Sequence, residues 1–169
     1  MNLADANVPN HVPLSASGIP QRLEDFEIFP KHVGVWLGEW IRLDAGGKEI
    51  ERFTGIVTKK ILDNQWIQSN TYQWADGRSV TYNFVGVVVS DRTVKLESSQ
   101  PPFCDYLMIA EEYRDNLVIF RIWDRTTGVP LLVEVIHLSD ENTCVRTNQG
   151  FTPEGTLKSF TAIAERRIG

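Results

Sequence analysis

The feature that most constrains this chain is a recurring punctuation: runs rich in Val, Ile, Thr and aromatics, each ended by Gly, Asn or Asp. Asp44-Ala45-Gly46-Gly47, Asp63-Asn64, Ala75-Asp76-Gly77 and Ser90-Asp91 separate such runs in the first half. Arg114-Asp115-Asn116, Thr126-Thr127-Gly128, Ser139-Asp140-Glu141-Asn142 and Pro153-Glu154-Gly155 do so in the second. Gly, Asn and Asp tolerate the left-handed backbone that tight hairpins require, and β-branched and aromatic residues suit a pleated surface. The spacing predicts strands near 33–43, 48–61, 65–74, 79–89, 93–98, 104–113, 117–124, 130–138, 143–152 and 157–167. Helical periodicity is confined to a short turn predicted after Pro20, in QRLEDFEIF. Consecutive hairpin-linked strands predict an all-β fold, a single up-and-down antiparallel β-barrel of about 8–10 strands, because closure removes exposed edges. A two-sheet sandwich is the alternative. Residues 1–24 read as an arm containing Pro and Ser, and residues 25–169 as the barrel domain.

A chain of 169 residues suits one domain with one core. A composition of 42% hydrophobic and 23% charged residues excludes a disordered chain, a collagen or a coiled coil. No apolar run approaches the roughly 18 residues of a membrane-spanning helix. The opening MNLADANVPNHVPLSASG lacks a basic segment followed by an apolar one, so a cytoplasmic location is expected. The net charge of −5 argues against a nucleic-acid partner. Cys104 and Cys144 fit neither a redox pair nor a zinc pattern and are expected as reduced thiols. His11, His32 and His137 are scattered, so no metal is expected. Without a phosphate loop, a dinucleotide fingerprint or a nucleophile elbow, no cofactor is expected either.

Strand alternation sorts side chains onto two faces. Trp66, Gln68, Asn70, Tyr72 and Trp74 share one face of the third strand. That set is too aromatic for a solvent face and too polar for a plain core face. Aromatic walls with a few placed polar groups are how small-molecule pockets are built. On the first strand Trp36, Gly38, Trp40 and Arg42 share a face, with Trp36 read as a packed floor and Trp40 as cavity lining. Tyr82 shares a face of the fourth strand with Val80, Phe84 and Gly86. On the seventh, Ile119, Arg121 and Trp123 oppose Val118, Phe120 and Ile122, and one of these faces points inward. An inward Arg121 would offer a cation to a carboxylate, enolate or carbonyl oxygen. Glu134, between Val133 and Val135, is either an inward acid or an exposed charge, and His137, near a strand end, reads as a rim or packing residue rather than a base. The candidate catalytic residues are therefore Gln68, Asn70, Tyr72 and Arg121. The candidate substrate-binding residues are Trp40, Trp66, Trp74, Tyr82, Trp123 and Glu134.

The segment FPKHVGVWLGEWIRLDAGGKEI resembles the opening of lipocalin-like (calycin) barrels, which carry a G-x-W motif, here Gly34-Val35-Trp36, after a short helical turn. The resemblance implies that Trp36 closes the barrel floor beneath an arginine of the last strand, Arg166 or Arg167. The run W-x-G-x-W-x-R-x-D-x-x-G, with NQWIQSNTYQWADGRS and the closing GFTPEGTLKSFTAIAERRI, is similar to a group of lipocalin-like domains found largely in cyanobacteria and of unsettled function. It spans roughly residues 29–168 and implies a barrel but no catalytic residues. The motifs of phycobilin lyases, also calycin relatives, do not occur. Two functions are expected to compete. One is a cofactor-independent cyclase or isomerase acting on a hydrophobic natural-product intermediate, a terpenoid or polyketide, with Gln68, Asn70, Tyr72 or Arg121 polarising a carbonyl or moving a proton. The other is a non-catalytic intracellular binding protein for a lipophilic small molecule or pigment. In both, the expected partner is a hydrophobic small molecule, and a homodimer is left open.

Overall fold

The computed structural model describes residues 22–169, so the arm expected over residues 1–24 lies outside the described residues except for its last three. Ten strands follow in chain order: β1 (Gly34–Asp44), β2 (Glu49–Leu62), β3 (Gln65–Gln73), β4 (Ser79–Ser90), β5 (Thr93–Glu97), β6 (Tyr106–Tyr113), β7 (Leu117–Asp124), β8 (Pro130–Asp140), β9 (Thr143–Phe151) and β10 (Leu157–Arg167). Each pairs antiparallel with the next, and β10 pairs with β1, so the sheet closes on itself. The up-and-down barrel expected from the turn spacing is the fold, and the sandwich is not. Helix among the described residues is limited to 3-10 turns at Leu23–Asp25, Phe29–His32 and Phe103–Asp105. None is long and apolar enough to cross a membrane.

Two hairpins show how the sequence closes one end of the barrel. Asp63 and Asn64 (φ 50° and 61°) and Asp115 and Asn116 (φ 63° and 60°) take left-handed backbone at both central positions. That geometry gives a two-residue turn whose twist matches the strands. Both asparagines also hold the segment 22–33, which crosses this end. Asn64 Oδ1 accepts the Leu23 N–H at 2.6 Å, and Asn116 Oδ1 accepts from Lys31 Nζ at 2.9 Å. The anchor of the segment is Glu112 of β6, a buried carboxylate. It accepts the backbone N–H groups of Glu27, Ile28 and Phe29 at 2.9, 2.8 and 3.2 Å. With its polar groups met in this way, the segment buries Leu23, Phe26, Ile28 and Phe29. Phe29 meets the Trp66 ring edge-on at 5.3 Å.

Trp36 completes the floor. It is fully buried, and its indole N–H donates to the His32 carbonyl at 2.9 Å. The Arg167 guanidinium carbon lies 4.4 Å from its ring centre and Lys59 Nζ 5.4 Å. Arg167 also donates to the Val33 and Lys31 carbonyls, tying the end of β10 to the crossing segment. Of the two arginines implied by the resemblance, Arg167 is therefore the one on the tryptophan. Arg166 faces outward and donates to Thr143 Oγ1 at 3.0 Å. Both cysteines are free thiols, and Cys144 is buried among the floor residues. Trp36→Ala should lower unfolding stability by about 3–5 kcal/mol, because it leaves a large cavity. Urea unfolding measures this; a change of a few tenths of a kcal/mol would place Trp36 outside the core.

Candidate functional site

Above the sealed floor the barrel encloses a cavity of about 760 Å³. It runs toward the opposite end, where the loops between β1 and β2, β3 and β4, β5 and β6, β7 and β8, and β9 and β10 gather.

One wall is the inward face of β3, and its polar groups form a chain. Trp66 Nε1–H donates to Gln68 Oε1 at 2.9 Å, Gln68 Nε2 to Asn70 Oδ1 at 3.0 Å, and Asn70 Nδ2 to the Tyr72 hydroxyl at 3.1 Å. An indole N–H can only donate, which fixes which way each amide faces. The chain therefore ends on a Tyr72 hydroxyl that already accepts a bond and has its own proton left to give. Burial pushes the Tyr72 pKa up to about 12, so that proton stays on the oxygen at neutral pH. At the rim Trp74 Nε1 donates to Glu51 at 2.9 Å, and Arg42 donates to the same carboxylate at 2.7 Å.

Aromatic rings complete the apolar lining. Trp40 stacks on Phe53 at 5.9 Å, and Tyr72 meets both edge-on at 5.4 and 5.3 Å. The Trp40 ring lies directly on Gly55, where any Cβ would overlap it. Tyr82 and Phe84 hold Phe103, carried by the loop between β5 and β6, at 4.9 and 5.0 Å.

Toward the floor lies a buried ionic cluster. Arg146 of β9 donates through Nε and Nη2 to Glu134 (2.9–3.2 Å) and through Nη1 to Glu165 at 3.1 Å. The three residues are 7%, 3% and 1% exposed. Burial opposes the Arg146 charge, but Glu134 and Glu165 outweigh it and hold its pKa well above the ordinary value. Burial alone would raise the Glu165 pKa; Arg146 and Lys59 hold it below the usual carboxylate range. Lys59 of β2 lines the cavity without an ion pair or a hydrogen bond to its ammonium among the described residues. Burial pushes its pKa down, against the pull of Glu165. Burial likewise raises the Cys144 thiol to about 11, so it stays protonated. His32 also lines the cavity, and both its ring nitrogens and Glu165 Oε2 are buried without a partner among the described residues. Burial, with Lys59, Arg146 and Arg167, holds the His32 pKa well below its usual value, so the ring is neutral. No three metal-ligating side chains converge among the described residues.

Eight of the ten candidate residues line this cavity: Trp40, Trp66, Gln68, Asn70, Tyr72, Trp74, Tyr82 and Glu134. Arg121 and Trp123 do not. On β7 the inward face is Val118, Phe120 and Ile122, which pack into the core. Arg121 points outward to Glu111 at 3.6 Å and to the Tyr113 hydroxyl at 3.4 Å. The sequence reading missed Lys59, Arg146, Glu165 and His32. A signal for Arg146 existed: the β8–β9 hairpin pairs Ile136 with Arg146 and Glu134 with Asn148, putting Glu134 and Arg146 on one face.

A closed ten-stranded barrel, with a G-x-W tryptophan under a terminal arginine and a cavity above it, is a lipocalin-like fold. No protein-family model matches the sequence, and no curated protein matches it. Among solved structures the chain is similar to a DUF3598-family protein of unknown function from Nostoc punctiforme, at 13% identity and a TM-score of 0.61. The match covers 85% of this chain and 50% of that one, so the chain spans about half the length of this relative. It is similar to an S-type phycobiliprotein lyase from Guillardia theta, at 13% identity and a TM-score of 0.62, over 83% of this chain and 90% of that one. It is also similar to a protein from M. tuberculosis, at 12% identity and a TM-score of 0.62, over 86% of this chain and all of that one. At such identities the likeness is one of fold.

The neutral, buried His32 gives a pH prediction. Below pH 6.5 the unfolded chain takes up a proton at this ring and the folded chain does not. Stability should therefore fall with pH from about 6.5 downward, by up to about 1.4 kcal/mol per pH unit. Comparing urea unfolding at pH 7.5 and 5.5 with the same pair for His32→Gln checks this. Equal slopes would show that the fold does not lower the His32 pKa.

Proposed function

We propose that the protein binds an elongated, largely apolar and uncharged lipophilic small molecule or pigment inside the barrel. The observation that carries this reading is the cavity of about 760 Å³, walled by aromatic rings and crossed by one directed chain of hydrogen bonds that ends in a free hydroxyl proton. Apolar walls supply affinity, and a few fixed polar groups set the ligand's orientation. The interior charges support an uncharged ligand. Arg146 and Lys59 balance Glu134 and Glu165, so an acid beside them would add an uncompensated buried charge.

Tryptophan fluorescence tests the reading, since Trp40, Trp66 and Trp74 line the cavity. Titration with dodecanol should quench it saturably, and dodecanoate at pH 8 should bind at least tenfold more weakly. Absence of quenching by any apolar ligand overturns binding in the barrel. Equal affinity for the acid overturns the uncharged ligand.

The finer reading, a cofactor-independent cyclase or isomerase acting on a terpenoid or polyketide intermediate, is favoured by the Tyr72 hydroxyl. It keeps its proton, is held by Asn70, and would polarise a carbonyl within an apolar cavity. Such a donor contributes roughly 2–4 kcal/mol to a transition state. Tyr72→Phe deletes the hydroxyl and keeps the ring. For a substrate that is converted, turnover should fall tenfold or more while affinity, read by the same quenching, changes little. Unchanged turnover makes Tyr72 wall only.

A further inference from the structure

Lys59 is the one buried lysine among the described residues; Lys31, Lys48, Lys60 and Lys158 are exposed and Lys95 half-buried. Its amine lines the cavity at the floor end, 5.4 Å from the Trp36 ring centre. The Glu165 oxygen that would be its natural partner class is split: Oε1 is taken by Arg146, and Oε2 has no partner among the described residues. His32, 3% exposed, also lines this end of the cavity, and its two ring nitrogens are buried without a partner among the described residues. A primary amine and a neutral imidazole at the closed end of an apolar cavity are groups that meet a carbonyl.

We infer that Lys59 captures an aldehyde carried at the leading end of an apolar ligand, forming an imine at the barrel floor. This rests on the binding reading above and names the reactive class of that ligand. The unprotonated amine attacks the carbonyl carbon, a C–N bond forms, and the carbonyl π pair moves to oxygen. The resulting carbinolamine loses that oxygen as water, carrying off the two amine hydrogens, and leaves a C=N bond. No oxidant, reductant or further reactant is needed. Protonation of the imine returns a single positive charge at the same place, so the balance of two cations and two carboxylates is preserved. An amine shielded from water is also present in its free, nucleophilic form at lower pH than an exposed one. Burial and Arg146 act on Lys59 in that direction, against Glu165, Cys144 and Glu134.

The reach of the cavity sets the ligand's length. Lys59 pairs with Gln68, and from there to Trp74 at the rim is about 20 Å along β3 at ~3.3 Å per residue. A strand tilt of roughly 40° reduces this to about 15 Å along the barrel axis. An extended chain of about twelve carbons fills that distance.

The test treats the wild-type protein with dodecanal and cyanoborohydride at pH 7.5 and maps the N-dodecyl adducts by peptide mass spectrometry. Lys59 should be modified at least tenfold faster than any exposed lysine, excess dodecanol should suppress the adduct, and the rate should level off at lower pH than for the other lysines. Lys59→Arg keeps the charge against Trp36 and should give no floor adduct, with urea unfolding to check that the barrel still folds. Equal modification of the exposed lysines, or an unmodified Lys59 in a protein whose tryptophans dodecanol quenches, overturns the imine and leaves the binding reading standing. Absence of both adduct and quenching overturns the two together.

Discussion

Glu112 satisfies three consecutive backbone N–H groups with one carboxylate, and through them it fixes the segment that shuts the barrel. A ten-stranded barrel is too wide for its own side chains to fill, so an open floor would admit water throughout. The segment places Leu23, Phe26, Ile28 and Phe29 across the opening, and Trp36 with Arg167 locks it to the last strand. The low dielectric of the interior follows from that seal. It raises Tyr72, lowers Lys59 and keeps His32 neutral, burial being the leading cause in each.

The same dryness makes the ionic cluster consequential. Burial works against every charge there, and two carboxylates that meet three of the Arg146 nitrogens offset that cost. The cluster joins β8, β9 and β10 from inside, on the wall across the lumen from the β3 chain. One wall thus carries fixed charges and the other fixed dipoles, with aromatic rings between them. A ligand entering from the open end meets rings first, then the Tyr72 hydroxyl, then the charged floor.

Much of this was legible in the sequence, for reasons that can be named. The barrel followed from turn chemistry, which is local: Asp63-Asn64 and Asp115-Asn116 dictate their hairpins wherever they stand. The β3 wall was legible because its inward face mixes tryptophan with amides, a pattern neither solvent nor core explains. Arg121 and Trp123 went the other way because both faces of β7 are largely apolar, so alternation alone could not choose between them. The decision came from neighbours: Glu111 and Tyr113 on β6 receive Arg121 outside the barrel. Lys59, Arg146 and Glu165 were missed because hydrophobicity assigns charged residues to water. Only the register, which sets them with Glu134 on the inner face of β2, β8, β9 and β10, shows that the four charges cancel inside.

The β3 chain has a direction, and the direction is set at its far end. Gln68 and Asn70 could each face either way along the strand with equal local geometry. Trp66 cannot, since its indole has a hydrogen and no acceptor, and every amide above it takes its orientation in turn. The strand therefore transmits one bit of information over about 20 Å, from a tryptophan packed on the floor segment to the hydroxyl in the lumen. Whether the lumen offers a proton or a lone pair at Tyr72 is written in a residue six positions away along β3. Selection on ligand chemistry can thus act at the barrel's structural end, where a change reads as a packing substitution.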